Sequence, residues 1–179
     1  MAAPNSDPSL TGDERACLGG FLEDQRGILA WKCSGLSEPD LKRAAVPPSK
    51  LTLLGLVRHL AEVERVWFRT RLAGEAVGPI WRTEDSPDAD FEDLDDADVG
   101  EAWARWRAEC EVSRSILAGL DSLDYTFSTP KGLRLNARAM LNHMIEEYAR
   151  HNGHADLLRE RIDGQTGESP PEPERAQTD

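Results

Sequence analysis

Apolar positions recur along this chain with helical spacing in four long stretches. The first runs over about 12–33, opened by a capping-box pattern, Thr11-Gly-Asp-Glu14, with a stripe of Leu18, Phe21, Leu22, Gln25, Ile28, Leu29 and Lys32. A short capped turn follows over Ser37–Ala44 and stops before Val46-Pro47-Pro48. Ser49 is the expected cap of the second helix, roughly 50–74, whose face is Leu53, Leu56/Val57, Leu60, Val63 and Trp67 and whose stop is Gly74. The third covers about 98–120, with Trp103, Trp106, Cys110, Ser113, Leu117 and Leu120 inward. Residues 121–135 alternate but carry Pro130 and Gly132, so a loop with a short extended piece is expected. The fourth helix starts at Asn136 and continues through Met140–Ile162. The predicted architecture is all-α: a four-helix bundle with one long crossover over 75–97. Residues 1–10 are expected to be a disordered N-terminus, 11–164 the bundle domain and 165–179 a disordered tail.

Charge narrows the partners. The 21 basic and 33 acidic residues leave a net −12, which argues against nucleic acid and against an anionic membrane surface. No apolar run reaches the roughly 20 residues of a spanning helix, and MAAPNSDPSL lacks the pattern of a signal peptide. Cys17, Cys33 and Cys110 are odd in number and widely spaced, so no disulfide framework is expected and a reducing cytoplasm is the natural setting. Between Arg82 and Arg105 there are ten acidic residues and no basic one, which marks the crossover as a solvated loop. Within it Ile80 and Trp81 offer either a lid over a pocket or a simple anchor on the bundle.

The fourth helix holds the candidate chemistry. Met140, Met144, Glu147, His151, His154, Ala155, Leu158 and Ile162 share one face, with His143 beside it, while Arg150, Arg159 and Arg161 are read as lying elsewhere. Ionisable groups facing a core need partners or a metal. Glu147 and His151, four apart, point the same way and can grip one ion. A third ligand must come from another helix, and His59 is the only histidine outside this one. Two imidazoles and one carboxylate leave a coordination position open, as in catalytic zinc sites. His143 and His154 lie about 16 Å apart along the axis, so not all four groups bind one ion. Gly153, mid-helix, suggests close approach of a helix or ligand near His151. A buried polar network without an ion is the competing reading.

LTLLGLVRHLAEVERVWF and HMIEEYARHNGHADLLRERIDG together resemble the DinB/YfiT-like superfamily, in particular its mycothiol-dependent branch, over roughly residues 11–164. The resemblance implies a four-helix bundle holding a divalent metal, zinc or nickel, through three side chains on two helices. Most of that superfamily has a His-x-x-x-His pair on the fourth helix; Glu147-x-x-x-His151 is instead similar to the metal site of mycothiol-dependent maleylpyruvate isomerase. The implied ligands are His59, Glu147 and His151. The sequence ends soon after the bundle, without that isomerase's second domain, so isomerisation is not expected.

What the resemblance implies is a thiol S-transferase: a metal-activated low-molecular-weight thiol, mycothiol, attacking a small electrophile. His143, His154 or Glu62 is the candidate proton acceptor or orienting group, and Trp81 and Gln25 are candidate pocket residues. A hydrolase using activated water shares the same ligands, and iron also suits them. A non-catalytic metal- or ligand-binding bundle is the third reading; Cys110 or Cys17 at a closed fourth position would favour it. The reading admits a homodimer.

Overall fold

Asp13, two residues after the expected cap Thr11, opens α1 (Glu14–Cys33) by accepting a hydrogen bond from the Ala16 amide. The structure is a computed structural model that describes residues 11–92 and 94–168. The expected disordered N-terminus, 1–10, and the part of the expected tail beyond Glu168 lie outside the described residues. The anticipated Thr11–Glu14 capping box is therefore displaced: the aspartate between them is the N-cap. Phe21 is also corrected, since it is exposed while Leu22, Leu29 and Cys33 are buried.

Ser37 caps the short α2 (Glu38–Leu41) through the Asp40 amide, as its spacing suggested. The next helix begins later than expected. Thr52, not Ser49, is its N-cap, accepting from Gly55 at 3.0 Å, while Ser49 Oγ accepts only from the Leu51 amide. α3 (Leu53–Glu64) is buried along almost its whole length and continues as a π-helical segment, Arg65–Leu72. The Ala73 amide donates back to the Phe68 carbonyl, and Gly74 stops the turn at a φ of 69°. π-Helical turns are rare and concentrate at functional sites.

α4 (Val99–Ala118) starts at Asp98, whose side chain accepts from the Glu101 amide. The stretch 121–135 holds more order than a loop. β1 (Thr126–Ser128) and β2 (Arg134–Asn136) pair antiparallel, with Phe127 opposite Leu135. Asn136 then caps α5 (Ala137–Asp163), which ends at the left-handed Gly164.

α1 packs along α5 and α3 along α4, so the fold is an all-α bundle with one small hairpin. His59 meets Glu147 while Trp67, two turns on, meets His143; α3 and α5 therefore run antiparallel. A buried polar network ties all four long helices together. Arg26 of α1 donates two hydrogen bonds to Glu64 of α3 at 2.8 and 2.7 Å. Tyr148 Oη of α5 donates to the same carboxylate at 2.8 Å and accepts from Trp106 Nε1 of α4 at 2.9 Å. Every charge in it is paired, the condition under which buried polar groups fix register rather than destabilise.

Arg159 corrects the helix-four reading. It is buried, and its guanidinium donates to the carbonyls of Lys32 at 3.0 Å and Ser34 at 2.7 Å, capping the C-terminal end of α1. Lys32 is likewise fully buried and paired with Asp156 of α5 at 2.5 Å. Gly153 has no neighbour within 4 Å of where a Cβ would stand, so no close approach explains it.

Candidate metal centre

One turn of α5 carries Glu147 and His151 toward the side of α3 on which His59 stands. His59 Nε2 lies 3.4 Å from Glu147 Oε1, and His151 Nε2 lies 3.5 Å from the same oxygen. One ligand atom from each residue falls within 4.8 Å of the others. Tetrahedral zinc with bonds of about 2.0–2.2 Å sets its ligand atoms about 3.3–3.5 Å apart, so two edges of the triangle already have that length. Two neutral nitrogens and a carboxylate oxygen also match the donor set of a divalent first-row ion. The three side chains are 12%, 19% and 10% exposed, sunk into the seam between α3 and α5.

The environment prepares each ligand. Burial, reinforced by the charges of His59 and His154, pulls His151 down to about 4 against the opposing pull of Glu147, so its ring is neutral at pH 7. Burial pushes the Glu147 carboxyl up. The hydrogen bond from His59 and the charges of His151, His59 and His143 outweigh it, and the carboxyl sits below the ordinary value.

His59 is held by the crossover. Its Nδ1 is 2.8 Å from Asp90 Oδ2, which also accepts from Arg82 Nη2 at 2.5 Å; that same Nη2 is 2.8 Å from Nδ1. Asp90 is wholly inaccessible. Burial raises its carboxyl, but the His59 and Arg82 hydrogen bonds and the Arg82 charge overcome this and hold it at about 2. An ionised Asp90 accepts a hydrogen bond at His59 Nδ1 and turns Nε2 toward Glu147, the arrangement in which a carboxylate orients a metal-binding imidazole. Phe91 completes the support, its ring stacked on His59 with centroids 4.5 Å apart. Reading the acidic crossover as solvated missed Asp90, Phe91 and Arg82. Nothing in a run of ten acids marks the one that turns inward.

The remaining candidate residues scatter around the triad. His154 Nδ1 is 3.3 Å from His151 Nδ1, on the side of the ring away from Glu147. His143 lies tilted against Trp67 of the π-helical segment, ring centroids 4.4 Å apart, and the Arg71 guanidinium lies over the Trp67 ring at 3.9 Å. Glu62 is fully buried and faces the crossover instead: its Oε1 accepts from the amides of Ile80, Trp81 and Arg82 at 2.8, 2.7 and 3.2 Å. One carboxylate oxygen thus anchors the segment that delivers Arg82 and Asp90. Trp81 lies over Arg58, 4.9 Å from ring centroid to guanidinium, and lines a cavity of about 270 Å³ that contains none of the triad. Gln25 ties α1 to α5, its Oε1 accepting from Asn152 Nδ2 at 2.8 Å. Cys110 belongs to the Glu64–Tyr148 network and Cys17 to the start of α1, so neither adds a fourth ligand.

This geometry can be set beside known proteins. The family model described as mycothiol-S-transferase matches residues 17–164, which is most of the chain and takes in α1 through α5. The chain belongs to the mycothiol-S-transferase family. No curated protein and no solved structure matches it. The family match runs through His59, the crossover with Asp90, and Glu147 and His151 together, so every group described above falls within the mycothiol-S-transferase region. Among the described residues no helix is long and apolar enough to cross a membrane.

Proposed function

We propose that this protein is a metal-dependent thiol S-transferase, with zinc the resident ion and mycothiol the thiol, acting on a small electrophile. The convergence of His59, Glu147 and His151 within 4.8 Å is the observation that carries it; family membership supports the thiol. A divalent ion bound there lowers the pKa of a thiol that reaches its free position.

The chain's own residues do the rest. His59 and His151 would each offer a ring nitrogen and Glu147 a carboxylate, so the ensemble with a divalent ion would stay net positive. Asp90 fixes the tautomer of His59, and Glu62 fixes the segment that carries Asp90. His154, half-buried and 3.3 Å from His151 Nδ1, is assigned the role of orienting that ring. In the transfer the sulfur forms a bond to carbon, the carbon's leaving bond breaks with its electron pair, and the thiol proton ends on the departing atom. Three cysteines outside any disulfide fit a reducing compartment, and we place the protein in the cytoplasm.

The test is incubation of zinc-loaded protein with mycothiol and a panel of alkylating agents, followed by mass spectrometry of the thiol conjugate. Conjugate formation that disappears on chelation and returns with zinc is expected. Turnover of the same compounds by water without thiol would instead establish a hydrolase.

A further inference from the structure

Gly55, His59 and Glu62 stand four and then three residues apart on α3 and so share one face of it. The crossover runs along that face in the opposite direction and meets each of them in turn. Its residues 80–82 close on Glu62, whose Oε1 accepts their amides at 2.8, 2.7 and 3.2 Å. Asp90 then meets His59 at 2.8 Å. Phe91 settles on Gly55: a Cβ there would stand 3.3 Å from the Phe91 ring and 3.5 Å from its Cα. Between these points the chain turns out and back. Thr83 and Ser86 bond each other across the turn at 3.1 and 3.0 Å, and Arg82 Nη2 joins Asp90 Oδ2 across its neck at 2.5 Å. The crossover is a strap pinned on either side of the candidate ligand that α3 supplies.

We infer that Glu62 and Gly55 are positioning residues for the metal centre, and that docking of the strap and binding of the ion are one coupled equilibrium. This rests on the metal reading above and not on the thiol. Neither residue offers the ion a ligand atom: Glu62 gives its Oε1 to the strap, and glycine has no side chain. Each acts through the crossover. Glu62 fixes residues 80–82, which place Arg82 against the Asp90 carboxylate that holds His59 Nδ1. Gly55 leaves the room in which Phe91 lies against α3, its ring stacked on His59 with centroids 4.5 Å apart. A side chain at position 55 would lift Phe91 and, with it, the adjacent Asp90, so both supports of the imidazole would move together.

An imidazole held in one orientation by a carboxylate binds a metal more tightly than a free ring. A ring whose other nitrogen is given to a cation bonds that carboxylate more strongly in return. Such a coupling is reciprocal: whatever factor the docked strap adds to the affinity for the ion, the ion adds to the docking of the strap.

The experiment uses the full chain with zinc as the probe. Zinc affinity is measured by chelator competition, and exchange of the Ile80, Trp81 and Arg82 amides by NMR with and without zinc. Glu62→Ala should weaken zinc about tenfold, the lower end of what an orienting partner contributes. Glu62→Gln keeps a side-chain acceptor and should recover part of that loss. Gly55→Ala should show a smaller loss, whereas Gly27→Ala on α1, with nothing within 4 Å of its Cβ, should show none. In the wild type, zinc should slow exchange at the three strap amides by about the factor lost in Glu62→Ala, and leave the hairpin amide of Thr129 unchanged. Glu62→Ala added to Asp90→Ala should cost little further affinity, because the first acts through the second; a general weakening of the fold would cost as much in either background. Unchanged zinc affinity in folded Glu62→Ala, additive losses in the double variant, or strap exchange indifferent to zinc would overturn the coupling and leave the metal centre standing. A wild-type chain that binds no zinc would overturn the metal reading and this inference with it.

Discussion

Replacing Asp90 by alanine removes the buried carboxylate that accepts from His59 Nδ1 at 2.8 Å without touching a candidate ligand. The ring of His59 then keeps its Phe91 stack but loses the acceptor that selects its tautomer. Arg82 loses its ion pair too; being one-third exposed, it recovers hydration, so the cost falls chiefly on His59. Orienting partners of this kind are worth about 10–100-fold in metal affinity, which is about 1.4–2.7 kcal/mol. Asp90 is fully buried and bonded to both groups, which places Asp90→Ala toward the upper end. Asp90→Asn keeps an acceptor and should lose less. Asp88→Ala, on the exposed side of the same loop, is the control. Zinc affinity is read by competition with a chromophoric chelator, with circular dichroism to verify the fold. Equal affinities for wild type and Asp90→Ala, or an equal loss in Asp88→Ala, would refute the role given to Asp90.

Other consequences are independent of the metal. Glu64→Ala leaves the buried Arg26 guanidinium with only the half-exposed Glu23 as partner, and should cost about 3 kcal/mol in urea unfolding; a loss under about 1 kcal/mol would contradict the network's structural role. Gly153→Ala meets no neighbour and should stabilise the protein by about 0.5–1 kcal/mol, seen as a raised urea midpoint. Burial pushes the Cys33 thiol from an ordinary 9.0 up to about 12, with the Arg159 charge only partly opposing. The folded chain therefore keeps that proton when the unfolded chain loses it, so stability from this group is intact below pH 9 and lost as pH rises toward 12. Cys33→Ala should lack that part of the alkaline decline; parallel stability–pH curves for the two proteins would count against it.

The helices were readable because their signals are local. Asn136 and Gly164 bracket α5 by side-chain capping and a positive φ, and Ser37 caps α2 through the next turn. Ser49 was read as the cap of α3 where Thr52 is; the cap falls instead one residue before Leu53, whose register with Leu56 and Leu60 faces the core. The grouping of His59, Glu147 and His151 was suggested by side-chain type and four-residue spacing, which require only that two helices meet. What stayed hidden depends on partners distant in sequence. Arg159 read as lying off the inner face, and Arg26 drew no reading, because the end of α1 and Glu64 come from other elements. Asp90 stayed hidden among its acidic neighbours because its inward turn is imposed by the Glu62 anchor on Ile80, Trp81 and Arg82. The π-helical segment carries no signal in its sequence, since its composition suits an ordinary helix.

An ion clasped by three side chains from two helices is the claim on which the chemistry depends. Its most direct test is the zinc content of exhaustively dialysed protein by elemental analysis, for the wild type beside His59→Ala, Glu147→Ala and His151→Ala. One zinc per wild-type chain, with loss in all three variants, is the expected result. Full zinc content in any of the three folded variants, or none in the wild type, would contradict it.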